Sequence, residues 1–326
     1  MKMLSKACAA IVLGGFMQAA SALAPQPAPL AKTETLTVAY AKVGHLSPLI
    51  LMADDLKKMN VEVKLAEFGR YADARTALLS GSVDMATVGP GDLPIALAQG
   101  NKTMVALGGV ASSMKYLVVR KGVTINDWKD IAGKKIGIAP GSAVWFQWAA
   151  TLAEKNIPYN SFTAVNIQGG GTAFVQALKR GDVDAYVSWE PFESQVVNDG
   201  TAYFAKNLEY SQSKASGAEL GMIAATKDAM TTKREAVKRF IWAYLNAEQK
   251  LAKDPVLYAQ TFAKFTGLPI DASTESTKII KLGGVLNADQ IKRLAAAFFK
   301  FGVIQKDVSA EIGSYYDDSL FKELSK

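Results

Sequence analysis

Three observations predict an α/β fold built as two similar lobes. Short apolar segments typical of strands alternate with helical segments of about ten residues, which is the pattern of parallel strands joined by helical crossovers. The chain of 326 residues is long enough for two hydrophobic cores. Residues 78–90 and 178–191 share a helix end, a glycine, a Val-Asp pair, a strand and a turn that contains proline, so one unit occurs twice.

The alternating pattern assigns the elements of both lobes. In the first half, the pattern predicts strands at 36–40, 61–68, 83–88 and 103–110 and helices at 46–59, 71–80 and 91–99. The second unit has predicted strands at 135–138, 164–167 and 185–188 and helices at 143–156 and 172–180. Predicted helices at 234–252, 255–265 and 288–301 follow as packing elements.

Two extended segments, residues 115–120 and 220–226, bracket the second unit. If both run between the lobes, they form a paired hinge, and the chain returns to the first lobe after residue 220. The prediction is therefore a discontinuous lobe 1, residues 34–114 and 220–326, and a lobe 2, residues 115–219.

The N-terminus has the layout of a secretory signal peptide. Lys2 and Lys6 precede an apolar run over 7–16 and small residues up to Ala24, and the run is too short to span a membrane. We predict a signal peptide at 1–24, although residues 20–22 and 22–24 both offer the small-x-small pattern of a cleavage site. Residues 25–33, rich in Pro and Ala, are expected to be a flexible lead-in.

The residue inventory argues against most catalytic and metal sites. Cys8, the only cysteine, lies in the predicted signal peptide, which removes disulfides and thiolate chemistry from the mature chain. His45 is the only histidine, so a histidine metal pair is excluded and a Ser/His/Asp triad has one possible centre. The glycines of 168–172 lack both common nucleotide-binding spacings. The net charge is +7, but the lysines are scattered along the sequence and do not form the basic cluster that is typical of nucleic-acid-binding proteins. We expect no catalytic residue, metal, cofactor or nucleic-acid partner.

Residues 134–149 predict a strand, a tight turn at Pro140-Gly141-Ser142 and a helix. Ser142 is a good N-cap, and the first N–H groups of the following helix have no partner inside the helix. Helix N-termini bind sulfate, phosphate and carboxylate through such groups. The alternative is that Ser142 only caps its own helix.

Other candidate residues follow the predicted strands, because ligands bind beyond the carboxyl ends of strands in open α/β sheets. These turns mostly contain glycine and open a helix, and two facing rims of this kind would offer several helix N-termini to one small ligand. They contribute His45, Arg70, Gly89, Gly91, Asp92, Gly141, Ser142, Trp189 and Glu190.

Short motifs follow one another in a fixed order and spacing at 69, 77–84, 89, 117–119, 133–142, 177–185 and 189–191. In this order and spacing, over about 36–251, the chain resembles the periplasmic substrate-binding proteins of nitrate, sulfonate and taurine ABC importers. It implies the two-lobed fold of type II periplasmic binding proteins, with a ligand in the cleft between lobes. By position, it adds Ser112 and Ser113 to the cleft. It also implies a non-enzymatic, periplasmic receptor that works with an ABC permease in the inner membrane, and we expect a monomer.

The expected ligand is a small organic anion, a sulfonate or a carboxylate. Its head group would sit at the helix opened by Ser142, with Arg70 as the countercharge from the other lobe. The remainder would lie against Trp145 or Trp189, with Glu190 available to a hydroxyl or an amine. The alternatives are a nitrate or pyrimidine-precursor binder, a solute sensor and, outside this class, a periplasmic α/β hydrolase.

Overall fold

Residues 23–325 are described by a computed structural model, and their strands form two mixed β-sheets. Sheet I contains β1 (Glu34–Ala41), β2 (Val61–Phe68), β3 (Met85–Val88), β4 (Met104–Ser113), β10 (Glu219–Thr226) and β11 (Ile280–Leu282). Sheet II contains β5 (Tyr116–Arg120), β6 (Lys135–Ile138), β7 (Thr163–Asn166), β8 (Ala185–Tyr186) and β9 (Ala202–Glu209).

The two sheets repeat one topology. In sheet I, β2, β1 and β3 are parallel neighbours, and β10 lies antiparallel between β3 and β4. In sheet II, β7, β6 and β8 are parallel neighbours, and β5 lies antiparallel between β8 and β9. The short strand β11 adds a sixth member at the free edge of β4. The predicted α/β fold with two similar units is confirmed.

Helices cover the faces of both sheets. They are α1 (Ala53–Lys58), α2 (Tyr71–Leu79), α3 (Asp92–Ala98), α4 (Ala143–Glu154), α5 (Gly171–Arg180), α6 (Phe192–Asn198), α7 (Lys227–Thr232), α8 (Arg234–Lys253), α9 (Pro255–Thr266), α10 (Ile270–Ile279), α11 (Ala288–Lys300) and α12 (Ser319–Leu324). Shorter 3₁₀ segments occupy Gly44–Leu51, Trp128–Ile131, Tyr159–Ser161 and Ser309–Tyr315.

The alternation of side chains along β1 shows how sheet I is buried on both faces. Leu36 and Val38 belong to a core that includes Phe240 of α8, whereas Ala39 belongs to a core on the other face with Phe298 of α11. Burial on both faces explains the nearly continuous apolar strands of a parallel sheet. No helix in the described part of the chain is long and apolar enough to cross a membrane.

The predicted helix at 46–59 is wrong in its first half. Gly44–Leu51 is a 3₁₀ segment with Pro48 inside it, and the α-helix starts only at Ala53. Proline has no N–H and its ring clashes with the preceding turn, so an α-helix cannot run through this position without a kink.

The two segments expected to run between the lobes, residues 115–120 and 220–226, are instead strands within the two sheets. β5 lies inside sheet II, and β10 lies inside sheet I, each as the inserted antiparallel strand. The chain passes between the sheets at residues 114–115 and again at 210–218. Both strands are largely apolar and buried, so they lie in the interior of a sheet and not in the exposed connection between the sheets.

Residues 25–33 are not a loose lead-in, because hydrogen bonds attach them to the body of sheet I. Arg239 donates from Nε and Nη2 to the Ala28 carbonyl oxygen at 2.9 and 2.6 Å. The Leu30 N–H donates to the Met59 carbonyl oxygen at 3.1 Å, and the Asn60 side chain donates to the Leu30 carbonyl oxygen at 2.7 Å. The composition predicted flexibility, but backbone groups of proline-rich segments still accept hydrogen bonds from distant side chains. The predicted signal peptide itself lies almost wholly outside the described residues.

Candidate functional site

A cavity lies where the carboxyl ends of strands from the two sheets face each other. Stretches within 41–45 and 69–72, beyond β1 and β2, line it from sheet I, and stretches within 139–144 and 166–170, beyond β6 and β7, line it from sheet II. Trp189 and Leu220 complete the lining. The space amounts to about 790 Å³, including the part that is open to solvent.

Three helices begin at this cavity. They are α2, whose N-cap is Arg70, α4, whose N-cap is Ser142, and α5, whose N-cap is Gly170. No side chain caps α2 or α5, whereas the Ser142 Oγ accepts from the Trp145 N–H at 3.2 Å. The first N–H groups of each helix lack intrahelical partners and carry the positive end of the helix dipole. The cavity is therefore electropositive and rich in backbone donors.

Arg70 lies at the rim, where it spans the gap between the two sheets. Its Nε and Nη2 donate to the Asp73 carboxylate at 3.3 and 3.1 Å, and its Nη1 donates to Gln168 Oε1 on the opposite side at 3.2 Å. The side chain is 47% exposed. Among the described residues that line the cavity, Arg70 alone carries a charge. The structure thus brings Arg70 and Ser142 to one cavity. Two of the three guanidinium nitrogens of Arg70 already donate hydrogen bonds to Asp73.

His45 and Tyr71 form a hydrogen-bonded pair in the cavity wall, with 2.6 Å between His45 Nε2 and Tyr71 Oη. Burial, reinforced by the positive charge of Lys115, lowers the pKa of His45 to about 3. Burial and the Asp92 carboxylate raise the pKa of Tyr71. Both groups are neutral near pH 7, so they offer hydrogen bonds without adding charge.

Tyr71 was not among the predicted site residues, although it stands in the loop that supplied Arg70. A Cβ atom on Gly221 would lie only 2.7 Å from the Tyr71 Oη, so glycine at this position of β10 leaves room for the hydroxyl. Gln168 was missed as well. It follows β7, and the position after a strand was the signal that could have selected it.

The predicted loop at Gly89, Gly91 and Asp92 does not line the cavity but shapes the contact between the sheets. The Asp92 carboxylate is buried, and it accepts from the Gly89 N–H at 2.7 Å and from Arg75 at 2.5 Å. A Cβ atom on Gly91 would lie 2.6 Å from the Phe298 ring. One carboxylate oxygen thus accepts from the Asp92 loop and the other from Arg75 of α2, so both have partners outside the cavity.

Phe146 of α4 packs against this loop from the other side. Its ring stacks on Phe298 of α11 with 3.8 Å between ring centroids, and a Cβ atom on Gly91 would lie 3.0 Å from it. Phe146 is part of a core on sheet I although it is carried by a helix of sheet II. The helix that presents Ser142 to the cavity is therefore also the helix that joins the two halves of the molecule.

Ser112 and Ser113 are likewise outside the cavity. β4 extends to Ser113, so both serines are paired within sheet I, Ser112 with β10 and β11 and Ser113 with β11. The Ser113 Oγ donates to the Met114 carbonyl oxygen. The family resemblance had placed both serines in the cleft by position, whereas β4 runs through them, three residues beyond the predicted strand end at residue 110.

Trp145 points away from the cavity. Its Nε1 donates to the Tyr159 Oη at 2.7 Å, and its ring contacts Phe146 at the edge of a separate apolar groove. A helix turns by about 100° per residue, so Ala143 and Val144 face the cavity while Trp145 does not. Trp148 is fully buried in the core of sheet II. Trp189 does line the cavity, and its ring lies edge-on to Phe174.

Glu190 is buried beside the cavity rather than in it. Its carboxylate accepts from the Ser194 N–H at 3.0 Å, from the Ser194 hydroxyl at 2.8 Å and from the Ser276 hydroxyl of α10 at 2.9 Å. Ser276 lies in α10, between β10 and β11 of sheet I in the sequence, whereas Glu190 and Ser194 follow β8 of sheet II. Glu190 therefore stabilises the junction between α6 and α10, and its hydrogen bonds do not support the predicted contact with a ligand hydroxyl or amine.

A buried ion pair lies where the chain first passes between the sheets. Lys115 Nζ donates to Glu193 at 2.6 Å, and both side chains are fully buried. Burial raises the pKa of Glu193 to about 8, although Lys115 opposes the shift. Within residues 23–325, no three His, Cys, Asp or Glu side chains are placed to hold a metal ion.

Comparisons with known proteins agree with this architecture. The profile of the NMT1/THI5 like family matches residues 56–257. A putative aliphatic sulfonates-binding protein of Bacillus subtilis (strain 168) is 27% identical over 156 residues, which is 46% of this chain and 46% of that protein. The chain thus aligns with about half the length of this curated relative.

Two solved structures share the fold at low sequence identity. The alkanesulfonate-binding protein of Xanthomonas axonopodis pv. citri, bound to MOPS, superposes with a TM-score of 0.75 at 20% identity, over 88% of this chain and 99% of that one. The periplasmic nitrate-binding protein of Synechocystis PCC 6803 superposes with a TM-score of 0.73 at 16% identity, over 91% and 89%. The fold is that of the periplasmic binding proteins, and the chain belongs to the NMT1/THI5 like family.

Proposed function

We propose that this protein is a periplasmic solute-binding receptor that captures a small organic anion and delivers it to an ABC permease. The observation that carries the proposal is the cavity at which Arg70 and the N-termini of α2, α4 and α5 meet. Donors from both sheets face one space, so a single bound anion contacts both halves of the molecule.

We divide the chain into lobe 1, residues 34–114 and 220–326, and lobe 2, residues 115–219. The membership of the sheets supports this division, since sheet II lies wholly within 115–219 and sheet I outside it, apart from Glu219 at the start of β10. The crossings at 114–115 and 210–218 then act as the hinge. A ligand that touches both lobes stabilises the closed form by its additional contacts in that form.

The charge of the cavity favours a monoanion. Arg70 supplies one positive charge, and Asp73 balances part of it. A second negative charge on the ligand would find only backbone donors and neutral side chains, and an uncompensated charge in a closed cleft is costly. A tetrahedral sulfonate has three oxygens for the N–H groups of the helix termini and the Arg70 guanidinium.

The rest of the ligand would meet an apolar wall. Trp189, Val43 and Leu220 line the cavity beside the polar rim, so an alkyl or aryl group gains by leaving water there. The names of the Bacillus and Xanthomonas proteins, which refer to aliphatic sulfonates and alkanesulfonates, support a sulfonate over a carboxylate.

Export and partner follow from the family and the N-terminus. The signal-peptide pattern at 1–24 supports export to the periplasm, where we propose that a monomer docks on permease subunits of the inner membrane. The pKa of His45, lowered to about 3, makes its imidazole a weak base, and the Asp92 and Glu190 carboxylates lie outside the cavity lining, which supports a receptor rather than a hydrolase.

A thermal-shift screen tests the proposal. It would compare alkanesulfonates, arylsulfonates, carboxylates, nitrate and pyrimidines, and a ligand at 100 times its dissociation constant adds about 2.7 kcal/mol of stability. We expect a sulfonate to raise the melting temperature and to be recovered unchanged after prolonged incubation. No shift with any anion would contradict the anion site. Conversion of the bound compound, abolished in His45→Ala, would contradict the receptor.

A further inference from the structure

We propose that the signal peptide is cut between Ala22 and Leu23, so that the mature chain begins at Leu23 and keeps residues 23–33 as a strap on lobe 1. This inference rests on the proposed export. The sequence offers two cleavage positions, after Ala22 and after Ala24. They differ by two residues, and the structure shows what those two residues do.

Ala24 is joined to the body of lobe 1 by both of its backbone groups. Its N–H donates to the Leu324 carbonyl oxygen at 2.8 Å, and its carbonyl oxygen accepts from Trp242 Nε1 at 2.8 Å. Leu23 pairs antiparallel with Ser325. The strap therefore begins with a short antiparallel pairing between the two ends of the described chain.

The apolar side chains of the same two residues also pack. Leu23 and Ala24 contact the core of sheet I that contains Trp242, Phe240 and Leu324. Trp242 is buried, with 6% of its surface exposed, so its indole N–H needs an acceptor within the protein. A cut after Ala24 would remove that acceptor together with the packing of both residues.

The rest of the strap remains anchored under either cut. Arg239 holds the Ala28 carbonyl oxygen, and Asn60 holds the Leu30 carbonyl oxygen. A cut after Ala24 therefore removes only the contacts of Leu23 and Ala24, and the rest of the strap stays attached. This makes the two possible mature chains directly comparable.

The chemistry of the scissile bond also favours the first position. Signal peptidase adds water to the carbonyl carbon on the N-terminal side, the C–N bond breaks, and a carboxylate and an ammonium group result. The bond after Ala22 is an ordinary secondary amide that leaves the ammonium on Leu23. The bond after Ala24 is a tertiary amide to Pro25, which lacks an N–H and restricts the residue before it.

The test is expression of the full chain with its own leader in a Gram-negative host. Intact mass and N-terminal sequencing of the periplasmic protein should give Leu23 as the first residue. Two matched variants separate the positions, because Ala20 belongs only to the first small-x-small pattern and Ala24 is the last residue only of the second. Ala20→Leu should accumulate precursor, and Ala24→Leu should be processed normally.

A mature chain that begins at Pro25 or at another residue would overturn the inference, as would a block by Ala24→Leu and not by Ala20→Leu. A chain that stays unprocessed in the cytoplasm would instead overturn the proposed export, and the inference with it.

A second measurement tests the strap itself. Chains that begin at Leu23 and at Pro25 can both be prepared by removal of an N-terminal tag. We expect the shorter chain to melt about 2–6 °C lower, since it loses hydrogen bonds and apolar contacts. Trp242→Phe should lower the melting temperature more in the longer chain than in the shorter one, because both lose packing of the indole ring but only the longer chain also loses the hydrogen bond to Ala24. Equal melting temperatures for the two chains, or an equal effect of Trp242→Phe in both, would contradict a structural role for Leu23 and Ala24.

Discussion

Replacing Arg70 with alanine should weaken binding of an alkanesulfonate about tenfold. A hydrogen bond to a charged group contributes about 1.5–3 kcal/mol. Arg70 is 47% exposed and shares its charge with Asp73, so solvent and the neighbouring carboxylate reduce its contribution to the lower end of that range. About 1.5 kcal/mol corresponds to roughly a tenfold change in the dissociation constant.

Two matched variants serve as controls. One should change the affinity in the opposite direction, and the other should leave it unchanged. Asp73→Asn frees the guanidinium from its partner without removing it, so this change should tighten sulfonate binding, by about twofold if about 0.5 kcal/mol is recovered. Arg120→Ala removes an arginine of similar exposure that pairs with Asp184 in sheet II, away from the cavity, and it should leave binding unchanged.

Isothermal titration calorimetry of the four proteins with one alkanesulfonate gives the dissociation constants, and their melting temperatures serve as a check. The Arg70–Asp73 pair is a surface pair, so Arg70→Ala should hardly change the melting temperature. The reasoning is refuted if Arg70→Ala binds as tightly as the unmodified protein, or if Asp73→Asn weakens binding as much as Arg70→Ala does.

Three other predictions follow from the neutral and buried groups. Tyr71→Phe removes the hydroxyl that bonds to His45 and should weaken sulfonate binding by roughly threefold to tenfold in calorimetry, while an unchanged constant would exclude the hydroxyl from the site. Because the pKa of His45 is lowered to about 3, His45 stays neutral and the binding constant should be flat between pH 5 and 8; a step near pH 6.5 would show that it titrates there. Burial raises the pKa of Glu193 to about 8 from 4.5, so its contribution to stability is complete below about pH 4.5 and is lost as the pH rises through 8. The melting temperature should therefore fall less between pH 5 and 8 in Glu193→Gln than in the unmodified protein, and equal slopes would contradict this.

The parallel part of each sheet could be predicted from the sequence, because strands and helices alternate regularly there. The places of the antiparallel strands β5 and β10 inside the two sheets could not be predicted in this way. Their residues are as apolar as those of β1, and nothing local to a strand specifies which neighbour it pairs with or in which direction. The shared topology of the two sheets was visible only as the echo of 78–90 in 178–191.

The site was predictable where a residue directly follows a parallel strand. Arg70, Ser142 and Trp189 lie at the cavity for that reason. Glu190 also follows a strand, but a hydroxyl 86 residues later in the chain binds its carboxylate, and sequence patterns do not reveal such distant partners. Trp145 was assigned by its aromatic character, whereas the phase of α4 turned it to the opposite side.

The central claim is that a single monoanion binds in the cavity between the lobes through its charge. Calorimetric titration of the purified protein with ethanesulfonate and with its uncharged counterpart ethyl methyl sulfone tests this most directly. The account predicts one ethanesulfonate per chain and binding of the sulfone at least about tenfold weaker, since the sulfone lacks the charge that Arg70 and the helix termini stabilise. Equal affinity for the two compounds, or no binding of any sulfonate, would contradict the account.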